Sequence, residues 1–364
     1  MPSYIQRIRY PPFELGNMDP NSVPVSEALV DTNGLYVTEF TIGNDDDWLV
    51  EWKEIGSEVP PKLSINGNVG TKMPSFIENS RSGWYVNPDP LHNLSRKMIL
   101  PVVSLLIVSL FIHAIEPGLV DLGIFDNTIA GSISIGPLDY PRLLFFTFPI
   151  FLLPLLFRTI ANFRDMSRQS YINSDPFVDP MTEITVSKNG CKLSIPSYPE
   201  ELELVRSRVQ VGIAIPERST VLASLGRNEG GQPSPGMSTK LPDKRIAAGD
   251  ESGTGVGEAT PMQVSTRRSV ILEPFRIMET GDWSVIQTKE NKPIVDLDLN
   301  IPIKWPGTIY SSLIAVHWEI LIEFKDSLGR EVKWVSPFVM PQSEEPTSLN
   351  IAPVRSGRAE LSNY

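Results

Sequence analysis

Asn44-Asp45-Asp46-Asp47 sets three carboxylates in a row, and hard cations such as Ca²⁺ or Mg²⁺ are held by carboxylate oxygens. The run lacks the alternating Asp-x-Asp-x-Asp-Gly spacing and distant bidentate Glu of a calcium loop, so it reads as a solvated turn. Gly249 to Gly257 (GDESGTGVG) offers Gly-x-Gly spacing for phosphate, but it follows no strand-like run, opens no helix and has no Lys-Ser/Thr pair. His113 lies inside an apolar run, where an ionisable group is by default a candidate proton carrier. Its closeness to Glu116 argues instead for a histidine at the polar edge. Cys191 is the only cysteine, which excludes an intramolecular disulfide and a thiolate metal cluster. No histidine neighbours it in sequence to activate a thiolate. His92, His113 and His317 are too few and scattered for a multi-histidine metal site. Asp296 and Asp298 share one face of an alternating strand, the ordinary pattern of a solvated sheet. With no serine elbow, no paired His-Glu motif and no helix carrying ligands at i and i+4, the expectation is a chain without cofactor, metal or catalytic apparatus, and not an enzyme.

The elements that carry these residues follow from composition. The chain has 364 residues, enough for two domains at roughly 100–200 residues each. Its 32 basic against 43 acidic residues leave a net charge of −11, which argues against a nucleic-acid partner, whose basic footprint would come first. Proline occurs 33 times, a share well above the usual ~5 % that suits short strands joined by stiff turns.

Two stretches are almost purely apolar. Met98 to Ile115 holds eighteen residues without a formal charge, close to the ~20 that a 30 Å hydrocarbon core requires. Leu143 to Phe157 continues through Arg158 to Phe163, with Arg158 able to snorkel to the headgroups. Pro101 falls in the first turn of the first helix so defined, and Pro149 and Pro154 are expected to kink the second. A transmembrane hairpin is therefore expected, with helices over about 98–115 and 143–163 and a short outside loop at 116–141. Arg96 and Lys97 precede it and Arg158, Arg164 and Arg168 follow it, while the loop between carries no lysine or arginine. The positive-inside rule places both termini in the cytoplasm of a multi-pass cell-membrane protein. Residues 1–30 contain no continuous apolar stretch, so no secretory signal is expected there.

Both flanks read as β. Before the helices, Gly34–Ile42 and Trp48–Ile55 predict a hairpin, with further strands at Leu63–Ile65 and Gly83–Val86. So few strands leave residues 1–97 a small β-rich segment in need of a partner to bury a core. After the helices, Thr182–Ser187 and Cys191–Pro196 flank Asn189-Gly190, a favoured hairpin turn pair. Arg208–Ile215, Ser269–Ile277, Trp283–Gln287 and Ile294–Ile301 follow as strands. Arg227 to Thr266 is rich in Gly, Ser and Pro without apolar period and reads as a disordered insertion. The longest alternation sets Ile314, Val316, Trp318, Ile320, Ile322 and Phe324 on a core face, against Ala315, His317, Glu319, Leu321, Glu323 and Lys325 on a wetter one. Period-2 runs separated by frequent turns are the signature of an antiparallel sandwich.

The segment Val295 to Met340 resembles the closing strands of arrestin-like β-sandwich domains. An alternating strand leads into a crossover with Pro302, Pro306 and Ser311-Ser312, then a strand with the aromatic Trp318, a turn at Gly329 and a last strand with Phe338. The chain also looks like a group of prokaryotic membrane proteins that attach such a domain to a few transmembrane helices. The resemblance implies a mainly β chain, an antiparallel arrestin-like or immunoglobulin-like β-sandwich over 175–345 with a flexible tail at 346–364. A sandwich fold does not by itself imply a function. The expectation is a non-enzymatic adaptor or scaffold at the cytoplasmic face, partnered by the bilayer and by another protein or a second copy. An accessory subunit of a transport or secretion complex is the alternative, and a hydrolase a more distant one.

Overall fold

The computed structural model describes residues 4–9, 24–47, 49–56, 59–69, 73, 82–86, 89–124, 131–187, 190–215, 218–224, 226, 262–263, 273–285, 295–302 and 304–350. They fall into two units, a β body drawn from 1–87, 172–245 and 260–364 and a helical unit within 88–171. The chain is mainly β with two long apolar helices.

The body opens with β1 (Tyr4–Arg9) and β2 (Ser26–Asp31), followed by β3 (Phe40–Gly43), β4 (Leu49–Glu54), β5 (Ser64–Val69) and β6 (Gly83–Val86). β3 and β4 form the hairpin expected around Asn44, whose side-chain oxygen accepts the Asp46 N–H at 2.9 Å. The short run YIQRIR of β1 passes unnoticed in the sequence, yet it pairs with both β2 and β4. Tyr4, Phe40 and Trp52 are buried together there, with ring centroids 5.6 and 6.5 Å apart.

The helical unit consists of α1 (Leu91–Asp121), β7 (Ser132–Ile135), β8 (Leu138–Pro141) and α2 (Arg142–Ser174). Both helices outrun their apolar stretches, because caps set where a helix starts while apolarity sets only the part that avoids water. The Asp89 carboxylate accepts the Leu91 N–H at 2.9 Å, so α1 begins ahead of Met98 and Pro101 lies in its interior, not its first turn. Residues 116–141 are likewise not a simple loop: α1 runs to Asp121, and β7 and β8 pair antiparallel.

The remaining elements belong to the body: β9 (Met181–Ser187), β10 (Gly190–Ser197), β11 (Glu203–Ile215), α3 (Arg218–Ser224), β12 (Met262–Gln263), β13 (Glu273–Thr280), β14 (Ser284–Val285), β15 (Val295–Leu299), β16 (Ile309–Ser311), β17 (Ala315–Lys325), β18 (Glu331–Phe338) and β19 (Thr347–Leu349). Among the described residues, fourteen strands join one sheet along the path β12-β6-β18-β17-β16-β5-β2-β1-β4-β3-β19, with β11 on β17 and β13 and β14 on β11. β15, β10 and β9 form a separate three-stranded sheet. β5 pairs with β16 and β6 with β18, so strands from before and after the helices share one sheet and the N-terminal strands find their core partner there.

The expected antiparallel arrangement holds only in part. β2–β5 and β19–β3 are parallel, which makes the large sheet mixed. Both parallel pairs join strands separated by other elements, the case in which a hairpin's antiparallel geometry is not imposed. Two expectations of disorder also need correction. Thr347–Leu349 of the tail lies in the sheet beside Phe40–Ile42, and Met262–Gln263, inside the supposed insertion, pairs with Val86 and Tyr85. The rest of 227–266, the turn residue Asn189 and 351–364 lie outside the described residues.

β17 is the spine of the body. Val316, Trp318, Ile320, Ile322 and Phe324 are all buried. Trp318 packs 6.4 Å from Phe338 and donates its indole N–H to the Pro306 carbonyl at 3.0 Å. Trp84 of β6 reaches Phe324 and Trp334 at 5.3 and 5.1 Å. The other face of β17 is not wet. His317, Glu319 and Leu321 are fully buried and Glu323 nearly so, because β11 and β18 flank the strand with long polar side chains of their own. After it, Gly329 at φ +72° carries the turn back into β18.

Candidate functional site

The polar face of β17 is the first candidate. Register sets Gln210 opposite Glu319, Arg206 opposite Glu323 and Lys333 opposite Glu323. The Tyr310 hydroxyl meets His317 Nδ1 at 2.7 Å, His317 Nε2 meets a Glu319 oxygen at 3.2 Å, and Gln210 donates to the other Glu319 oxygen at 2.6 Å. Arg206 donates to Glu323, whose second oxygen lies 3.4 Å from Lys333 Nζ. The Arg206 and Arg208 guanidinium groups lie 4.0 and 4.2 Å from the Trp283 ring centroid, stacking cations on its π face. Burial pushes the Lys333 ammonium below its ordinary pKa, opposed by the Glu323 carboxylate. A tyrosine–histidine–glutamate chain has the groups of a general base, but His317 and Glu319 are 0 % exposed. Shut off from solvent, it holds β16, β17 and β11 in register.

The remaining candidates of the body are answered by neighbours. Arg9 donates to the carbonyl oxygens of Asp45 and Asp47 at 2.6 and 3.2 Å, and Arg7 lies 3.6 Å from the Asp45 carboxylate. Arg7 also pairs with Glu27 at 2.7 Å and Glu51 at 3.1 Å. These arginines belong to β1, the strand hidden in the sequence. Cys191 is 2 % exposed on β10, and burial pushes its thiol up to about 11, far from a reactive thiolate. Asp296 and Asp298 are exposed on β15.

In the helical unit the usual distribution is reversed. Leu100, Phe111 and Leu155 face outward at 75, 66 and 63 % exposure, while Ser95, Ser109, Thr147, Asp165 and Gln169 are buried. Ser95 Oγ donates to the Pro154 carbonyl at 2.7 Å, tying α1 to α2. His92 Nε2 lies 2.9 Å from the Asp165 carboxylate, which also accepts the Asp89 N–H at 3.0 Å. Arg96 and Lys97 stand exposed near the start of α1. Arg158 and Arg168 are half-buried along α2, and Arg164 is exposed, 3.6 Å from Asp89. The five cationic residues thus gather toward the α1 start and the α2 end.

At the other end lies a cavity of about 500 Å³, lined by His113, Glu116, Asp121, Ser132 and Asp139 among others. Glu116 organises it, contacting His113 Nδ1 at 2.9 Å and accepting the Gly131 N–H at 2.7 Å. The sequence marks His113 and Glu116 as neighbours at a polar edge; it does not show that the β7–β8 ribbon lies beside them. The signal was present in the Ser-Ile-Ser-Ile alternation followed by Gly136-Pro137, a turn dipeptide. Among the described residues no group of three His, Cys, Asp or Glu is arranged to hold a metal ion. Compared with protein-family profiles, with curated proteins and with solved structures, the chain matches none.

Proposed function

We propose that this protein is a membrane-anchored, non-enzymatic β-sandwich protein that binds a protein partner at the cytoplasmic face. The observation that carries the reading is the inverted helical unit. α1 and α2 are long and apolar enough to cross a membrane, and their large apolar side chains turn outward while small and polar ones meet between the helices. Lipid makes that arrangement favourable, since tails are as apolar as leucine and helices associate through small and polar contacts. Pairing of β5 with β16 and β6 with β18 adds a topological condition. Strands on either side of the two helices share a sheet, so both flanks lie on the same side of whatever the helices cross. The cluster of Arg96, Lys97, Arg158, Arg164 and Arg168 supports reading that side as cytoplasmic.

An arrestin-like sandwich is the finer fold we assign to the body. Supporting it, β15 lies in a different sheet from β16, β17 and β18, as a crossover between two layers requires. The partner site we assign is β9. It pairs on one side only among the described residues, and alternate residues from Met181 to Ser187 are exposed. An unpaired strand edge offers backbone hydrogen bonds to an extended peptide.

Single cysteines at Asp45, Leu328 and Ser134 in a Cys191→Ser background, treated on intact cells with a membrane-impermeant maleimide, test the topology. Labelling at position 134 alone is expected. Labelling at 45 and 328 with protection at 134 would overturn the cytoplasmic assignment. A photo-crosslinking residue at Glu183 is expected to yield a discrete protein adduct that a control at Asp298 does not; equal patterns at both would remove β9 as the docking edge.

A further inference from the structure

The β7–β8 ribbon has one polar and one apolar face. Its register sets Ile133 opposite Tyr140 and Ile135 opposite Leu138, and residues directly opposite share a face. One face is therefore Ile133, Ile135, Leu138 and Tyr140, and the other carries Ser132, Ser134 and Asp139. The polar face is the one turned toward α1: Ser132 and Asp139 line the cavity with His113, Glu116 and Asp121, and Ser134 bonds Asp139 across the strands. The apolar face also stands bare, with Ile135, Leu138 and Tyr140 at 51, 57 and 40 % exposure and Ile133 half-buried. Gly136 at φ +60° takes the first position of the two-residue turn, where hairpin loops demand a left-handed residue. The base is clamped, since Gly131 donates its N–H to Glu116 and accepts the Arg142 N–H at 2.9 Å. The ribbon is thus held with its apolar face away from α1.

We infer that this ribbon lies flat in the headgroup layer of the bilayer that α1 and α2 cross, with its apolar face toward the lipid. The inference rests on the membrane reading of the two helices. Three observations select lipid as the occupant. β8 runs without a break into α2, whose apolar run starts at Leu143, so the ribbon sits by covalent connection at the level where hydrocarbon begins. Tyr140 packs 6.4 Å from Phe145, which packs 5.4 Å from the outward-facing Phe146, making one aromatic surface from ribbon to helix. Tyr140 and Arg142 are the residue types that anchor at membrane–water interfaces. Depth is limited by the backbone. A two-stranded ribbon leaves unpaired N–H and C=O groups along both edges, which the hydrocarbon interior does not tolerate, so the ribbon stays at headgroup level.

The test uses the full chain reconstituted in phosphatidylcholine vesicles. An environment-sensitive fluorophore is attached to single cysteines at Ile135, Leu138, Ser134 or Phe111 in a Cys191→Ser background. Doxyl groups on the lipid tails near the headgroup are expected to remove more than half of the emission from positions 135 and 138. An aqueous quencher is expected to act mainly on position 134. Strong lipid quenching at Phe111 with none at 135 and 138 would overturn the ribbon's placement while keeping the membrane helices. Aqueous quenching at Phe111 would overturn the membrane reading itself. Shielding of 135 and 138 from both quenchers, lost on dilution into excess lipid, would assign the face to a second copy and overturn the lipid assignment.

Discussion

The β body and the helical unit bury opposite kinds of residue. In the body, Trp318, Ile320 and Phe324 are sealed inside, and polar groups buried with them bond one another, as His317 and Gln210 both do with Glu319. In the helical unit, Ser95, Thr147 and Asp165 are inside, and Leu100, Phe111 and Leu155 are outside. The same physics yields both patterns once each has its own solvent. Water drives apolar area into the body core, whereas on the proposed membrane reading lipid leaves polar contacts as the reason for α1 and α2 to meet.

The widest separation between the two regions is expected from Trp318→Ala. Removing this side chain from the core costs about 4 kcal/mol, in the range of buried Trp truncations, read as a lowered denaturation midpoint of the detergent-solubilised chain. Next comes Leu155→Asp in α2. On the surface of a water-soluble protein such a change lies within about 0.5 kcal/mol of neutral, but facing lipid near a helix centre it costs about 3 kcal/mol. Loss of the variant from the carbonate-resistant membrane fraction is the expected result, and undiminished membrane retention would make the two regions alike. Ser95→Ala removes the contact to Pro154 between α1 and α2 and is expected to cost only about 0.6 kcal/mol, the average for such contacts in membranes, measured by steric trapping or mild detergent unfolding.

The smallest effect concerns the body's surface turn. Desolvation by itself would raise the Asp326 carboxyl, but the Arg330 backbone and guanidinium and the Leu328 N–H together hold it below its ordinary value of 3.8. Its folded pKa is depressed, so its contribution to stability is present above 3.8 and is lost as pH falls through the lower folded value. Asp326→Asn is expected to lower stability slightly at neutral pH and to leave it unchanged at the acid end, so that the acid limb of the stability curve flattens, as followed by tryptophan fluorescence across acid titration.

Where local pattern decides structure, the sequence was readable. The β3–β4 hairpin follows from Asn44 between two β-rich runs, the strand β17 from its alternation, and the paired apolar helices from their composition. What it hid depends on partners distant in the chain. His317, Glu319 and Glu323 look solvent-facing by residue type, and it is Gln210 and Arg206 on β11, Tyr310 on β16 and Lys333 on β18 that make their burial tolerable. Strand β1 was invisible because six residues carry too little periodicity, and Arg7 and Arg9 with it, so the acidic turn at Asn44 was read without the cations that face it. Thr347–Leu349 reads as tail because its partner, Phe40–Ile42, lies near the other end of the chain. At the candidate site, Cys191 was legible as an inert strand residue. The ribbon beside Glu116 was harder to see, since its four-residue strands sit at the lower limit of what alternation can establish and only Gly136-Pro137 marks the turn.

The pairing of β6 with β18 also sets a schedule for biogenesis. Val86 pairs with Val332, and the roughly 250 residues between them take about 12 to 50 seconds to make at ribosomal rates of ~5–20 residues per second. During that interval both helices have to leave the ribosome while β5 and β6 stand with open edges, the condition in which strands recruit wrong partners. The body is therefore a sheet that can be completed only after synthesis has passed through both apolar helices.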